Sequence, residues 1–490
     1  MNDTGYTLSN TTMPRRILFV LPNRFASRNI LTSDIPSILS ETEDRFLTFV
    51  SLFPDDEQMV LSFNKKNLAW RHLAKPEPAS HLPFFVGLKY AAMNMVYSFV
   101  HFLLLKKARH DALFYRFHKL HNLFIHWWWV AKKKDSPTSL NGEVQKKLID
   151  STLAWPFPNS KIFFSLLKRL RFWQWASNTK VEAFFEKNRF DLVVFNFVQT
   201  SPIFPYIIAA KRRGVKTVGI VGSWDNPTTK GPLYPCQRYI VQNRYMADML
   251  KKYHDIDQNM VTIVGWPQMD IYKKPGIIEG REQFLSAMSL APRCRLLLFG
   301  ASTKRFGRHE PSVLRYILRQ REAGVYGPEI ALVIRAHPGD HNWQERLAEF
   351  QGLDNVIVEP PNYTDRTHLT NLLHHADIVM STAGTICLDA VAFDTCAISI
   401  AFDGEVQQTS NEGAAIFYQS EHYASVIKTG GTRLVESFAD LDQAILNYLN
   451  DPQQDADKRL ALRALHLEPF DGKAGERLVH TILGGSDSHA

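Results

Sequence analysis

The chain has 490 residues, 45% hydrophobic and 22% charged, and carries a formal net charge of +8 at pH 7. It is too long for one ordinary core and too apolar for a disordered chain, so it fits two globular domains with elaborations. The positive balance favours anionic partners such as phosphorylated substrates, acidic lipid headgroups or nucleic acid, and says nothing about fold. Cys236, Cys294, Cys387 and Cys396 form no CxxC pair, which excludes a zinc-ribbon spacing and points to free buried thiols in a reducing compartment.

Residues 1–13 read as a disordered leader without the apolar core of a secretory signal. Ile17–Leu21 is a short apolar run of the kind that forms a buried parallel strand. A polar loop, Asn23–Asp34, is expected next, carrying Arg24, Arg28 and Asn29. The pattern then breaks. Val86–Leu105 is nearly all apolar, and Trp127-Trp128-Trp129 runs into Lys132-Lys133-Lys134. Lys161–Trp175 is a second basic-aromatic stretch. Half-apolar rings beside ammonium groups suit the headgroup boundary of a membrane. We therefore expect a helical membrane-surface insertion over about residues 84–180, ahead of a buried helical insertion. A true span ranks third, because it would part the first strand from its sheet partners.

From Asp191 the alternation is regular. Strands are expected at Leu192–Phe195, Thr217–Val221, Arg238–Gln242 and Val261–Gly265. Helices are expected at Ile203–Arg213, closed by Gly214, and at Arg244–Tyr253. Residues 271–280 read as a linker. A second α/β run has strands at Leu296–Gly300, Ala331–Ile334, Val356–Val358, Ile378–Met380 and Ala397–Ile400. The expected architecture is α/β of the GT-B type, two Rossmann-like domains facing an interdomain cleft. The first spans residues 14–270, the second 281–460, with a C-terminal helix and tail at 461–490.

Parallel sheets bind ligands beyond the carboxyl ends of their strands. After Phe299, the turn from Gly300 to Glu310 offers Lys304 as a cation for phosphate. After Ile334 comes Arg335-Ala336-His337-Pro338, a guanidinium and an imidazole at the sheet edge. After Met380, Ser381-Thr382-Ala383-Gly384-Thr385 leads into a helix carrying Asp389. Its hydroxyls and backbone N–H groups suit a phosphate, and Asp389 suits a ribose hydroxyl. In the first half, Thr217–Val221 leads into the polar loop Gly222–Gly231. There Asp225 is a candidate general base, with an Asx cap as its alternative role. Trp224, Asn226, Lys230 and, from the opening loop, Arg28 are assigned to the acceptor side.

These segments resemble, in order, the GT-B transferases related to CDP-glycerol glycerophosphotransferases, over roughly residues 190–480. Arg335–Pro338 is similar to that family's Arg-Pro-His-Pro, and Ser381–Asp389 to its Thr-Asp-Tyr-Ser-Ser segment with a trailing aspartate. Val264–Asp270 is similar to its Gly-Tyr-Pro-Arg-Asn-Asp turn. Asp471–Arg477 is similar to the Asp-Gly-x-Ala-x-Glu-Arg start of its last helix. One position departs. Where the family has Trp-His-Gly-Thr with a catalytic His, this chain has Ser223-Trp224-Asp225-Asn226. A carboxylate base is common in inverting GT-B glycosyltransferases, and the His-Pro and Ser/Thr motifs also resemble those of bacterial sialyl- and Kdo-transferases.

The resemblance implies a glycosyltransferase that moves a sugar from a nucleotide-activated donor to a surface glycan or lipid-linked acceptor at the cytoplasmic membrane face. Asp225 and His337 are the catalytic candidates. Arg335, His337, Ser381, Thr382, Thr385, Asp389 and Lys304 are the donor-binding candidates. No cofactor or metal is expected, and CMP- or CDP-type donors are favoured over UDP. The alternatives are CDP-polyol phosphotransfer and a UDP-sugar 2-epimerase-like enzyme. Nucleic-acid binding is not expected, since nothing resembles a known module.

Overall fold

The computed structural model describes residues 15–73, 178–229, 233–254, 256–304, 306–362, 365–406 and 413–484. The leader, the expected membrane-surface insertion apart from its last residues, and Lys230 lie outside the described residues. Within the described residues the chain divides into two units. Residues 15–73, 178–270 and 469–484 form the first, and residues 271–468 the second.

The first unit is built on a seven-stranded parallel sheet in the order β3-β2-β1-β4-β5-β6-β7. Its strands are β1 (Arg16–Leu21), β2 (Phe46–Ser51), β3 (Leu68–His72), β4 (Leu192–Asn196), β5 (Lys216–Ile220), β6 (Arg238–Val241) and β7 (Val261–Ile263). All five residues of β4 are buried, as are the last five of β1. Such near-continuous apolar strands need cover on both faces, which the crossover helices of a parallel sheet supply. Its core includes Phe19, Leu47, Phe49, Val194, Ile220 and Ile240.

The segment expected as a polar loop, Asn23–Asp34, instead begins a helix at once. Asn23 caps it by accepting the Ala26 N–H at 2.9 Å, and the helix runs Arg24–Leu31 with Ala26, Ile30 and Leu31 buried. The apolar stripe is three residues wide, and Arg24, Arg28 and Asn29 on the other face obscure it. Strands β2 and β3 were also missed in the sequence. Thr48 and all five residues of β3 are only partly buried or exposed, so neither strand shows an unbroken apolar run.

The second unit holds a six-stranded parallel sheet, β10-β9-β8-β11-β12-β13. Its strands are β8 (Arg295–Gly300), β9 (Ile330–Arg335), β10 (Val356–Glu359), β11 (Ile378–Ser381), β12 (Cys396–Ile400) and β13 (Arg433–Val435). Both sheets have the order of a doubly wound Rossmann-type fold, which reverses direction beside the first strand of each sheet. The four cysteines are free and buried.

Two of the recurring motifs meet inside the first unit. The Asp270 carboxylate accepts the N–H groups of Ala474 and Gly475, at 3.0 and 2.7 Å. It thereby caps the helix Ala474–Ile482. Arg477 donates to the Val264 carbonyl at 2.8 Å and pairs with Asp471 at 2.7 Å. Gly265 has φ +90, and a Cβ there would lie 2.6 Å from the Pro469 carbonyl oxygen, so the turn requires glycine. These motifs hold the C-terminal helix on the first unit. Asp270→Ala is expected to cost about 1–2 kcal/mol through loss of the cap. Urea denaturation with hydrogen exchange checks this, and faster exchange should be confined to residues 474–482 and their neighbours.

Candidate functional site

Towards their carboxyl ends, five strands of the second unit align in register. Glu359 pairs with Arg335, Arg335 with Gly300, Gly300 with Ser381, and Ser381 with Ser399. One row across the sheet therefore carries Arg335, Gly300 and Ser381, the residues from which the three candidate loops depart. Gly300 is required there, since a Cβ would meet Ile386 Cγ2 at 2.6 Å. That contact seats the helix Ile386–Val391 against the end of β8.

After β11, side chains from other segments hold the Ser381–Ala383 turn. The Ser381 hydroxyl donates to the Gly300 carbonyl at 2.7 Å, and Ser302 Oγ donates to the Thr382 carbonyl at 3.1 Å. Tyr418 Oη accepts the Ala383 N–H at 2.7 Å, and Tyr423 Oη donates to the Ala383 carbonyl. Ala383 has φ 50, a left-handed conformation uncommon for a non-glycine residue, and these bonds hold it there. Thr385 is exposed and follows directly. Asp389, in the helix, accepts from Tyr272 Oη at 2.7 Å, and Arg366 stands 3.4 Å from that oxygen.

After β9, His337 is half-buried, and its Nδ1 accepts the Gly339 N–H at 2.9 Å. In the neutral imidazole that bond places the ring proton on Nε2, so that Nε2–H is a donor and not an acceptor. Arg335 is buried, and its Nη1 donates to Glu359. His368 Nε2 lies 2.5 Å from the other Glu359 oxygen. Burial pushes the Glu359 carboxyl up, but the hydrogen bond to His368 and the Arg335 charge outweigh it and hold it below the usual carboxylate range. The same hydrogen bond raises His368 against the pull of burial. Lys304, the expected phosphate cation, is exposed and forms an ion pair with Glu345 at 3.0 Å.

Beneath these loops lies a buried ionic cluster that the sequence did not reveal. Arg346 pairs with Glu310 at 2.7 Å and with Asp340, and donates to the carbonyls of Ser302 and Gly307 at 2.6 and 3.1 Å. Glu310 is 0% exposed. Burial pushes its carboxyl up to about 7, against Arg346 and the Ser302 N–H that favour its ionised form. His309 was also overlooked. It is 1% exposed, its Nε2 lies 3.0 Å from Thr382 Oγ1, and burial lowers it to about 4. Neither residue carries a local signal, because the Arg346 partner of Glu310 and the Thr382 partner of His309 lie 36 and 73 residues away along the chain.

In the first unit, Trp224 and Asn226 are buried in the loop that was assigned to the acceptor. The Asn226 carbonyl accepts from Gln199 at 3.1 Å. Asp225 is half-buried. Its Oδ2 accepts the Thr229 hydroxyl at 2.6 Å, and its carbonyl accepts the Thr229 N–H at 2.9 Å, so it closes the short helix Asn226–Thr229. With its amide turned to satisfy its neighbours, Asn226 donates to Asp225 Oδ1 at 3.2 Å. Arg28 lies in the helix Arg24–Leu31, with its guanidinium 5.3 Å from the Phe25 ring centroid.

Each of the two units carries a parallel sheet of the Rossmann type, and two such units in one chain are the architecture of the GT-B class. The sequence profile of the CDP-Glycerol:Poly(glycerophosphate) glycerophosphotransferase family matches residues 209–484, more than half of the chain, and the chain belongs to that family. No curated protein sequence matches it. Among solved structures it is similar to a protein from Listeria monocytogenes assigned as a UDP-N-acetylglucosamine 2-epimerase. That similarity has a TM-score of 0.53 at 12% identity, over 96% of this chain and 95% of that one. MnaA of S. aureus, solved with UDP, has a TM-score of 0.51 at 10% identity, over 96% of both chains. At such identities the likeness concerns the fold alone.

The Glu359–His368 pair sets a pH dependence. His368 is raised above its ordinary 6.5, so its contribution is fully present below that pH and is lost as pH rises through the folded value. Glu359 is lowered from 4.5, so its contribution is present above that pH and is lost only as pH falls through its folded value. Thermal stability is therefore expected to fall as pH rises from 6.5 through the folded value of His368, and His368→Gln should remove that part of the slope.

Proposed function

We propose that this chain transfers an activated group from a cytidine-nucleotide donor to a hydroxyl of an envelope glycan or lipid-linked acceptor, with the donor phosphates on the second unit. The observation that carries the reading is the in-register row Arg335–Gly300–Ser381, with His337 just beyond it. All four residues lie within the segment that matches the family. The family's description favours a polyol phosphate as the transferred group.

In that reaction the acceptor oxygen bonds to the β-phosphorus of the donor. The bond from that phosphorus to the bridging oxygen breaks, CMP leaves with that oxygen, and the hydroxyl proton passes to a base. Charge on the leaving phosphate dominates such a step, and fixed donors that meet it are worth more than flexible ones. His337 offers Nε2–H for that purpose, in a ring oriented by Gly339. Thr385 and Asp389 are assigned to the phosphate and the ribose. Arg335, tied to Glu359, acts through its charge at the edge of the site. Asp225 is the candidate base, in a carboxylate orientation set by Thr229 and Asn226.

A second reading is sugar transfer, in which the anomeric carbon–oxygen bond breaks instead. It is favoured by one observation, that Asp225 stands where the family carries a histidine. The epimerase alternative rests on fold likeness alone. We place the protein at the cytoplasmic membrane face because of the Trp-Lys stretches between residues 127 and 134 and between 161 and 175. Among the described residues no helix is long and apolar enough to cross a membrane.

One assay tests these assignments together. The protein is given CDP-glycerol or a CMP-sugar, with a lipid-linked acceptor on anionic vesicles, and CMP release and the new linkage are followed. A phosphodiester is expected from the first donor, with a fall of about a hundredfold for His337→Ala. A glycosidic product from the second donor would establish the sugar reading. Release from neither would reject both, and failure to float with anionic vesicles at low salt would reject the membrane placement.

A further inference from the structure

His309 is a buried imidazole to which the reaction above gives no task. Its Nε2 lies 3.0 Å from Thr382 Oγ1, and Thr382 is itself 2% exposed. Its Nδ1 is buried without a hydrogen-bond partner and faces the Asp403 carboxylate at 3.9 Å, too far for a hydrogen bond. Leaving a ring nitrogen unpaired in a core is unfavourable, and an apolar side chain of similar size would avoid that cost. The Asp403 carboxylate favours the tautomer with its proton on Nδ1. Nε2 is then the acceptor, and the Thr382 hydroxyl donates to it.

That arrangement turns the Thr382 proton inward, away from any ligand. Thr382 was grouped with the phosphate contacts, but its buried hydroxyl is already committed. The neighbouring contacts have the same character. Ser302 holds the Thr382 carbonyl, and Tyr418 and Tyr423 hold the left-handed Ala383 on either side. Asp403 is in turn fixed by the Ala414 N–H at 2.8 Å.

We propose that His309 is a positioning residue for donor binding. Backed by Asp403, it holds the Thr382 side chain so that the Ser381–Thr385 turn is already in its binding conformation before the nucleotide arrives. The proposal rests on the assignment of that turn to the donor. A turn held in its bound form gains affinity because less ordering remains to be done on binding. His309 therefore acts on donor affinity through Thr382 and touches no reacting atom.

A double-mutant cycle tests this, with CMP as the probe and calorimetry as the readout. His309→Leu and Thr382→Val are each expected to weaken CMP binding about tenfold, and the double variant about as much as one of them, because coupled residues are not additive. His309→Gln, which can place a polar atom near the position of Nε2, should bind CMP within about twofold of wild type. His309→Asn, which reaches only the Nδ1 position, should be weakened. Additive losses, or equal binding by the Gln and Asn variants, would overturn the proposal. The Gln–Asn comparison also decides the matter if His309→Leu does not fold. The parent reading fails differently: in that case wild type does not bind CMP, or His337→Ala and Thr385→Val bind it as tightly as wild type does.

Discussion

The second unit depends on one buried guanidinium. Arg346 reaches Asp340 beyond the His337 turn and Glu310 beyond the β8 turn, together with two carbonyls of the latter. Glu310 passes the connection to the Ser302 N–H, and the Ser302 hydroxyl passes it to the Thr382 carbonyl. Three loops that depart from three adjacent strands are thus tied to a single charge. Burying ions is costly unless each is paired and hydrogen-bonded, and removing one partner leaves the others stranded. Such a cluster contributes little net stability compared with an apolar filling, but it ties the three loops into one arrangement. A site for a phosphate-bearing donor needs that arrangement in advance, because stabilisation of developing charge is lost when its donors must first reorganise.

The segments shared with the family divide by what they do. The Arg335–Pro338 and Ser381–Asp389 segments stand at the carboxyl edge of the second sheet, where a doubly wound fold binds its ligands. The Val264–Asp270 and Asp471–Arg477 segments bind each other. The carboxylate of Asp270 caps the helix that begins at Ala474, and Gly265 leaves room for the Pro469 carbonyl. The chain enters the second unit after residue 270 and returns to the first at Pro469. The motif pair therefore lies where the chain leaves the first unit and where it comes back. Among the described residues the chain thus passes to the second unit and returns, and these residues fasten its return.

Most of the two sheets could be read in the sequence because parallel strands covered on both faces are unbroken apolar runs. Val193–Phe195 and Leu296–Phe299 are examples, and each ends at a turn signal. Strands at the margins were harder, since Trp70 and His72 in β3 carry mixed exposure and give no clear period. The helix Arg24–Leu31 was missed because three basic or polar residues share its outer face. Arg335, His337 and Ser381 stood out in the sequence as candidates because a strand end followed by a turn marks them out, and Asp389 because it follows in the next helix. The burial of Trp224 and Asn226 could not be foreseen, because a polar-looking loop gives no sign that its side chains fold inward. Arg346, Glu310, His309, Asp403 and Tyr418 were invisible for a different reason. Their meaning lies in contacts between segments far apart in the chain, and no spacing rule within one segment encodes those contacts.

In the proposed function the His337 turn and the Ser381–Thr385 turn together hold a cytidine nucleotide. A thermal-shift comparison of CMP, CDP, UMP, UDP, GDP and ADP on wild type and His337→Ala tests it most directly. A nucleotide at a hundredfold over its dissociation constant stabilises by about 2.7 kcal/mol. A cytidine nucleotide is expected to raise the melting temperature of wild type, and His337→Ala is expected to lose most of the rise. No response to any nucleotide, or an equal response in both proteins, would contradict it.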